Sequence, residues 1–258
     1  MNPLAEKYLR KSALPTIWCP GCGSGTVLSA ALRAIDELNI IDEIGLVGGI
    51  GCAGWIPSPY INVDTLHTTH GRPLAFATGV KLAKPETKVV VISGDGDLTA
   101  IGGNHLIHAA RRDMDLTVLC VNNRIYGMTG GQVAPTTPEG VETATTPYGA
   151  EGRPFDLCRL VEAAGATYVA RWTTAQPRFI TRSVKRGLAH EGFAFIEIMS
   201  QCPVQFGKMS GEGSATHMHD IMRDSSVPLK QAGGLDPAEL DGKWVVGELF
   251  DANAGGRG

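Results

Sequence analysis

An α/β fold, with a mostly parallel sheet covered by helices on both faces, is what this 258-residue sequence predicts. Apolar, β-branched runs of strand length recur along the chain, and segments of helical periodicity separate them. Strands that alternate with helices pair in parallel, and a strand buried on both faces reads as a continuous apolar run. A composition of 43% hydrophobic and 19% charged residues supplies the sizeable core that such a sheet needs.

The first helix is expected from Ser24, a capping residue, with Val27, Leu28, Ala31, Leu32, Ile35 and Leu38 at helical spacing. A short strand at 44–47 follows, then a helix at 73–83 that Pro85 ends. The run 88–93 is a buried strand, 104–111 a helix and 116–121 the next strand. The alternation repeats as helix 155–164, strand 167–171, helix 177–190 and strand 193–199. Between 122 and 154 there is no periodicity, and a Gly-, Thr- and Pro-rich stretch of that length inside a compact domain marks a functional or disordered loop. Residues 1–206 form the main domain on this reading. Residues 207–258, irregular up to the apolar run 243–250, form a C-terminal arm packed on that domain or on a partner.

A formal charge of −3 leaves no general basic field for nucleic acid or an anionic membrane surface. Residues 44–63 are uncharged, but glycines and two prolines interrupt them, so they do not suit a membrane span. The N-terminal residues lack the pattern of a secretory signal, and a cytoplasmic address is expected. In that compartment six cysteines do not form a disulfide framework, which turns attention to metal binding.

The most informative segment starts at the strand that ends in Gly94-Asp95-Gly96-Asp97 and closes at the strand that ends in Asn122-Asn123. Open α/β sheets bind ligands at the carboxyl ends of their strands. Two parallel neighbours joined by one crossover helix would bring Asp95 and Asn123 together, offering oxygen to one hard cation shared with a phosphate group. Gly94 and Gly96 would let diphosphate oxygens approach the backbone. A lone Gly-Asp-Gly is also a common turn, and Asp97 equally suits a helix cap.

Cys19 and Cys22 stand in Trp-Cys-Pro-Gly-Cys-Gly, a spacing open to zinc, a redox dithiol or iron-sulfur ligation. Cys52 lies in Gly-Ile-Gly-Cys-Ala-Gly and Cys202 in Gln-Cys-Pro, both where strand ends meet loops. These four make a thiolate set that a 4Fe-4S cluster or a zinc ion would accept. Cys120, inside a strand, and Cys158, inside a helix, read as small buried hydrophobes.

Gly-Asp-Gly followed at this distance by Asn-Asn resembles the diphosphate-binding signature of thiamine-diphosphate enzymes. The segments WCPGCG, GIGCAG, HTTHGRPLAFATGVKLA, GDGD, NNRIYGMTGGQ and the late Cys-Pro occur in the order seen in β subunits of 2-oxoacid:ferredoxin oxidoreductases. That resemblance runs from about residue 18 to residue 206. It implies a thiamine-diphosphate-binding fold, magnesium held by Asp95, Asn123 and the carbonyl of Ile125, and one 4Fe-4S cluster on Cys19, Cys22, Cys52 and Cys202. It further implies that Ile50, Gly51, Cys52, Ala53, His70, Gly96, Asp97, Gly127 and Met128 face the thiamine cofactor, with His70 in the catalytic role. One departure is Gln201, where such proteins often carry proline.

The segments GGNHLIHAARRDMDLTV and NNRIYGMTGGQVAPTTP resemble the 2-oxoglutarate synthase type more than the pyruvate branch. The implied reaction is coenzyme A-dependent oxidative decarboxylation of 2-oxoglutarate with electrons passed to ferredoxin, or its reverse. The resemblance also implies an α subunit that supplies the pyrimidine-binding domain and the activating glutamate, in a dimer of αβ heterodimers. Outside the resemblance, His67 reads as a loop residue, and Arg72 suits either a substrate carboxylate or an acidic partner surface. His105 and His108, one helical turn apart without an accompanying carboxylate motif, read as structural.

Overall fold

A computed structural model describes residues 3–254 and 256–257. Its sheet contains β1 (Ile44–Gly48), β2 (Thr65–His67), β3 (Lys88–Gly94), β4 (Leu116–Asn122), β5 (Tyr168–Thr173), β6 (Phe193–Met199), β7 (Ser226–Pro228), β8 (Trp244–Asp251) and β9 (Gly256–Arg257). The strand order is β2-β1-β3-β4-β6-β5-β8-β7, with β9 beside β8. From β2 to β5 every pairing is parallel, whereas β8 joins β5 antiparallel. β4 and β6 are buried along their whole length, which is why their sequences are almost unbroken apolar runs.

Side chains alternate across β3, so Val90 and Ile92 enter one core while Val89 and Val91 enter the other. The first core is roofed by α2 (Ser24–Leu38) and α6 (Pro177–Ala189), with the short α1 (Pro3–Tyr8) against it. The second lies under α3 (Pro73–Ala83), α4 (Gly103–Arg111) and α5 (Leu157–Ala164). Helix α5 begins at Leu157, two residues after the expected start, because Asp156 takes the cap position and accepts from the Arg159 N–H. Cys120 and Cys158 are buried in the second core, where burial pushes both thiols well up.

The segment read as irregular contains three further α-helices, α7 (Phe206–Met209), α8 (Ala215–Asp224) and α9 (Leu229–Ala232). Helix α8 is capped by Ser214 and buries Met218 and Met222, one turn apart, as its only buried residues. Two apolar contacts in ten residues are too few for periodicity to stand out. Strand β8 returns from this segment to pair with β5, so it extends the main sheet. No helix among the described residues is long and apolar enough to cross a membrane.

Candidate active site

Four adjacent parallel strands, β1, β3, β4 and β6, present their carboxyl ends side by side. The loops that follow β1, β3 and β4 line a cleft of about 580 Å³. Ile50, Gly51, Cys52 and Ala53 come from the first loop, Asp95, Gly96 and Asp97 from the second, and Asn123, Ile125, Gly127 and Met128 from the third, with His70 at the side. Every residue assigned from sequence to magnesium or to the thiamine cofactor therefore lines one cleft. Ser24, Tyr126 and Thr129 line it too, although none of them is assigned to the site from sequence.

Asp95 is buried, and burial pushes its carboxyl up to about 6 against the opposing pull of the Thr136 hydroxyl and the Asn123 N–H. The Asn123 N–H donates to one oxygen at 3.4 Å and the Thr136 hydroxyl donates to the other. Thr136 comes from the long loop, which folds back over the site instead of extending into solvent. A buried carboxylate with two hydrogen bonds and no counter-charge is electrostatically unsatisfied, and a cation bound there would offset that cost.

The two asparagines divide their work. Asn122 is buried and donates to Glu197 Oε1 at 2.8 Å, while Glu197 Oε2 accepts from Arg171 Nε at 2.6 Å and from the Cys158 thiol at 3.3 Å. Asn122 also accepts from the Arg124 N–H at 3.0 Å. Asn123 turns into the cleft, and its Oδ1 accepts from the Ile125 N–H at 3.2 Å. One asparagine thus anchors the turn to the sheet while the other presents an amide oxygen beside Asp95.

Asp97 lines the cleft, yet its carboxylate faces protein. One oxygen accepts from His70 Nδ1 and from the Gly71 N–H at 2.7 Å, and the other accepts from Ser93 Oγ at 2.6 Å. It opens the helical turn at 97–101 without capping it. His70 lines the cleft with its ring edge-on to Tyr126 at 5.9 Å between centroids. Tyr126 is in turn tied to the loop after β3, its hydroxyl donating to the Gly96 carbonyl at 2.9 Å. His67 packs against Trp55 at 5.9 Å, and Arg72 donates to the carbonyls of Gly71 and Ile101.

Among the four thiols, Cys19 is exposed and Cys22, Cys52 and Cys202 are half-buried, all of them free. The Cys22 N–H donates to the Cys19 carbonyl at 3.0 Å, and the Gly23 N–H donates to the Gln201 carbonyl at 3.2 Å. A Cβ on Gly23 would stand 2.1 Å from Ser200 Oγ, so the Cys-x-x-Cys loop lies directly on the loop that carries Cys202. Gln201, the departure from the family pattern, is buried and accepts from Thr174 Oγ1 at 2.5 Å. Trp18 Nε1 donates to the Cys52 carbonyl at 2.9 Å, which brings the third loop in. Burial first, then the charges of Cys22, Cys202 and Cys19, push the Cys52 thiol up to about 12. Cys52 and Cys22 thus stand in the field of the neighbouring thiols, and a positively charged centre beside them would reverse that repulsion. Among the described residues, no three His, Cys, Asp or Glu side chains are grouped as for a single metal ion.

The two donor sets meet at Gly127. A Cβ there would stand 3.2 Å from Cys202 Sγ and 3.6 Å from Asn123 Nδ2. The first distance is overpacked and the second is ordinary contact. Gly127→Ala is therefore expected to press on Cys202 and to cost up to about 3 kcal/mol, read as a lower urea midpoint of the chain. A variant as stable as the parent would contradict this.

Residues 49–198 match the family described as thiamine pyrophosphate enzyme, C-terminal TPP binding domain. Over 251 residues the chain is 54% identical to the 2-oxoglutarate synthase subunit KorB of Methanocaldococcus jannaschii, covering 97% of this chain and 93% of that protein. It is 53% identical over 246 residues to the protein of the same name from Methanothermobacter marburgensis, with 95% and 86% covered. A solved structure, the 2-oxoglutarate:ferredoxin oxidoreductase from Magnetococcus marinus with 2-oxoglutarate, coenzyme A and succinyl-CoA bound, superposes with a TM-score of 0.84 at 34% identity. That superposition covers 96% of this chain and 84% of that one.

Proposed function

Because the chain belongs to the β subunits of the 2-oxoglutarate:ferredoxin oxidoreductases, within the thiamine pyrophosphate enzymes, we propose that it binds thiamine diphosphate and one 4Fe-4S cluster side by side. Magnesium would be held by Asp95, Asn123 and the Ile125 carbonyl, and the cluster by Cys19, Cys22, Cys52 and Cys202. The observation that carries this reading is Gly127, a single residue without a side chain between Asn123 of one donor set and Cys202 of the other.

The residues present fit both groups. A cation at Asp95 relieves a buried, unpaired carboxylate, and the oxygen donors suit magnesium. Zinc needs its thiolates gathered around one ion at about 2.3 Å, a grouping absent among the described residues; a cubane binds each thiolate to a separate iron and accepts a wider set. When bound, the thiamine group supplies carbanion chemistry and the cluster one-electron acceptance. The chain's own share is to grip the diphosphate end through Asp95 and Asn123, to shelter the cleft with the Thr136 loop, and to hold a proton-accepting nitrogen at His70 Nε2.

The reaction assigned is coenzyme A-dependent oxidative decarboxylation of 2-oxoglutarate with ferredoxin as acceptor, or the reverse carboxylation. An α subunit would complete the site with the activating glutamate, in a cytoplasmic dimer of αβ heterodimers. The test is anaerobic purification of the αβ complex, assay of iron, zinc and acid-labile sulfide, and turnover with 2-oxoglutarate, pyruvate and branched-chain 2-oxoacids. About four irons and four sulfides per β chain are expected, with 2-oxoglutarate the fastest substrate. Zinc without sulfide, or neither metal, defeats the cluster assignment; faster turnover of pyruvate defeats the substrate.

A further inference from the structure

Arg124 follows the two asparagines and is buried, with a backbone φ of +64°, a left-handed conformation that a long side chain rarely adopts. Three contacts hold it there from its own loop and from the neighbouring one. Its N–H donates to Asn122 Oδ1 at 3.0 Å, and its carbonyl accepts from Thr137 Oγ1 at 2.7 Å. Its guanidinium leaves the loop and grips Glu212 with two parallel hydrogen bonds of 3.0 Å each, a geometry that only arginine provides.

The same guanidinium lies 3.9 Å from the ring centroid of Phe206 and 5.3 Å from that of Trp244. Phe206, Ile125 and Met218 form a small core separate from the two main ones, and Cys202 packs against it. The Gly207 N–H donates to the Cys202 carbonyl at 2.9 Å. Beside the packing of Ile125 and Cys202 on this small core, Arg124 thus ties the turn that presents Asn123 to the segment that presents Cys202, with 76 residues of chain between Ile125 and Cys202.

We infer that Arg124 is a positioning residue that couples the magnesium–diphosphate turn to the fourth thiol, so that disturbing it alters both cofactor sites together. This rests on the cofactor assignment above. Arg124 touches neither group; it acts by holding Asn123 and Cys202 in one rigid body with Glu212, Phe206 and Trp244. Lysine at this place keeps the charge but loses the second hydrogen bond and the flat stack on Phe206.

The test uses the αβ complex with Arg124→Lys, Arg124→Met and Glu212→Gln. Two quantities are read beside activity: magnesium-dependent affinity for thiamine diphosphate, and the iron content and low-temperature EPR spectrum of the reduced cluster. Each variant is expected to weaken thiamine affinity about tenfold or more and to shift the EPR spectrum or lower the iron. The Arg124→Met/Glu212→Gln double variant is expected to be no worse than either single. If Arg124→Met does not fold, Arg124→Lys and Glu212→Gln carry the test. Folded variants with wild-type values at both sites, or with a change at only one, overturn the coupling. An unmutated complex that lacks iron or magnesium-dependent binding overturns it as well, and shows that the cofactor assignment itself has failed.

Discussion

Asp95→Asn is expected to abolish magnesium-dependent thiamine diphosphate binding and, in the same protein without cofactor, to raise stability near neutral pH. The two effects have opposite sign because they have one cause. Burial lifts the Asp95 carboxyl from 3.8 to about 6 in the folded chain. A carboxyl raised on folding favours the protonated native state, so its stabilising contribution is fully present below 3.8 and is lost as pH rises through about 6. The shift of roughly two units corresponds to about 3 kcal/mol, withheld from the cofactor-free fold at neutral pH. Asparagine keeps an oxygen for the Asn123 N–H, and the Thr136 hydroxyl can turn to accept from the new amide, so little is lost by the change. Urea denaturation of the cofactor-free chain across that window measures it: wild type loses stability as pH rises and the variant does not. A variant less stable than wild type near neutrality, or one that still binds the cofactor, would sink the argument.

The parts of this site that could be read in sequence share a physical reason. Strands β3 and β4 are buried on both faces, so their apolar runs are nearly continuous, and the polar residues at their ends stand out because few polar residues precede them. Asp95, Asn123 and the cysteines belong to short motifs whose members sit close together in the chain. What escaped depends on contacts made across the fold. Thr136 reaches Asp95 from 41 positions away, inside a loop whose composition suggests only turns. Asp97 reads locally as a cap, and only the fold reveals that His70, 27 positions back, donates to it. The Glu197 network was hidden because a lone carboxylate in the apolar run of β6 gives no sign that Arg171 and Asn122 stand beside it. Strand β8 was visible as an apolar run, but its antiparallel place beside β5 follows from the path of the arm, which has no periodic signal to trace.

The pairing of Asp97 with His70 leads to the second large effect. Asp97→Asn is expected to lower turnover by about a hundredfold to ten-thousandfold, with thiamine affinity close to wild type. The Asp97 side chain is 1% exposed and receives His70 Nδ1, the Gly71 N–H and the Ser93 hydroxyl. A carboxylate that only accepts fixes the imidazole with its proton on Nδ1 and a free lone pair on Nε2 toward the cleft. Asparagine has one accepting end and one donating end for the same three donors. With the donating end toward His70 the ring must accept at Nδ1, which moves the proton to Nε2 and removes the proton-accepting nitrogen that we propose for the reaction. With the accepting end toward His70, one oxygen keeps both His70 and Gly71 as the carboxylate does and the amide turns toward a Ser93 hydroxyl that can rotate to accept, but a neutral oxygen holds the imidazole less firmly than a carboxylate. Thiamine affinity is spared because the magnesium ligands we propose are Asp95 and Asn123, not Asp97. His70→Gln is expected to reproduce the loss, and the double variant to add little to it, since both changes remove one function. Steady-state turnover of the αβ complex, read beside titration of thiamine binding, separates the alternatives. Losses that multiply in the double variant, or a fall in cofactor affinity that accounts for the whole effect, would show that Asp97 serves the cofactor directly and not the imidazole.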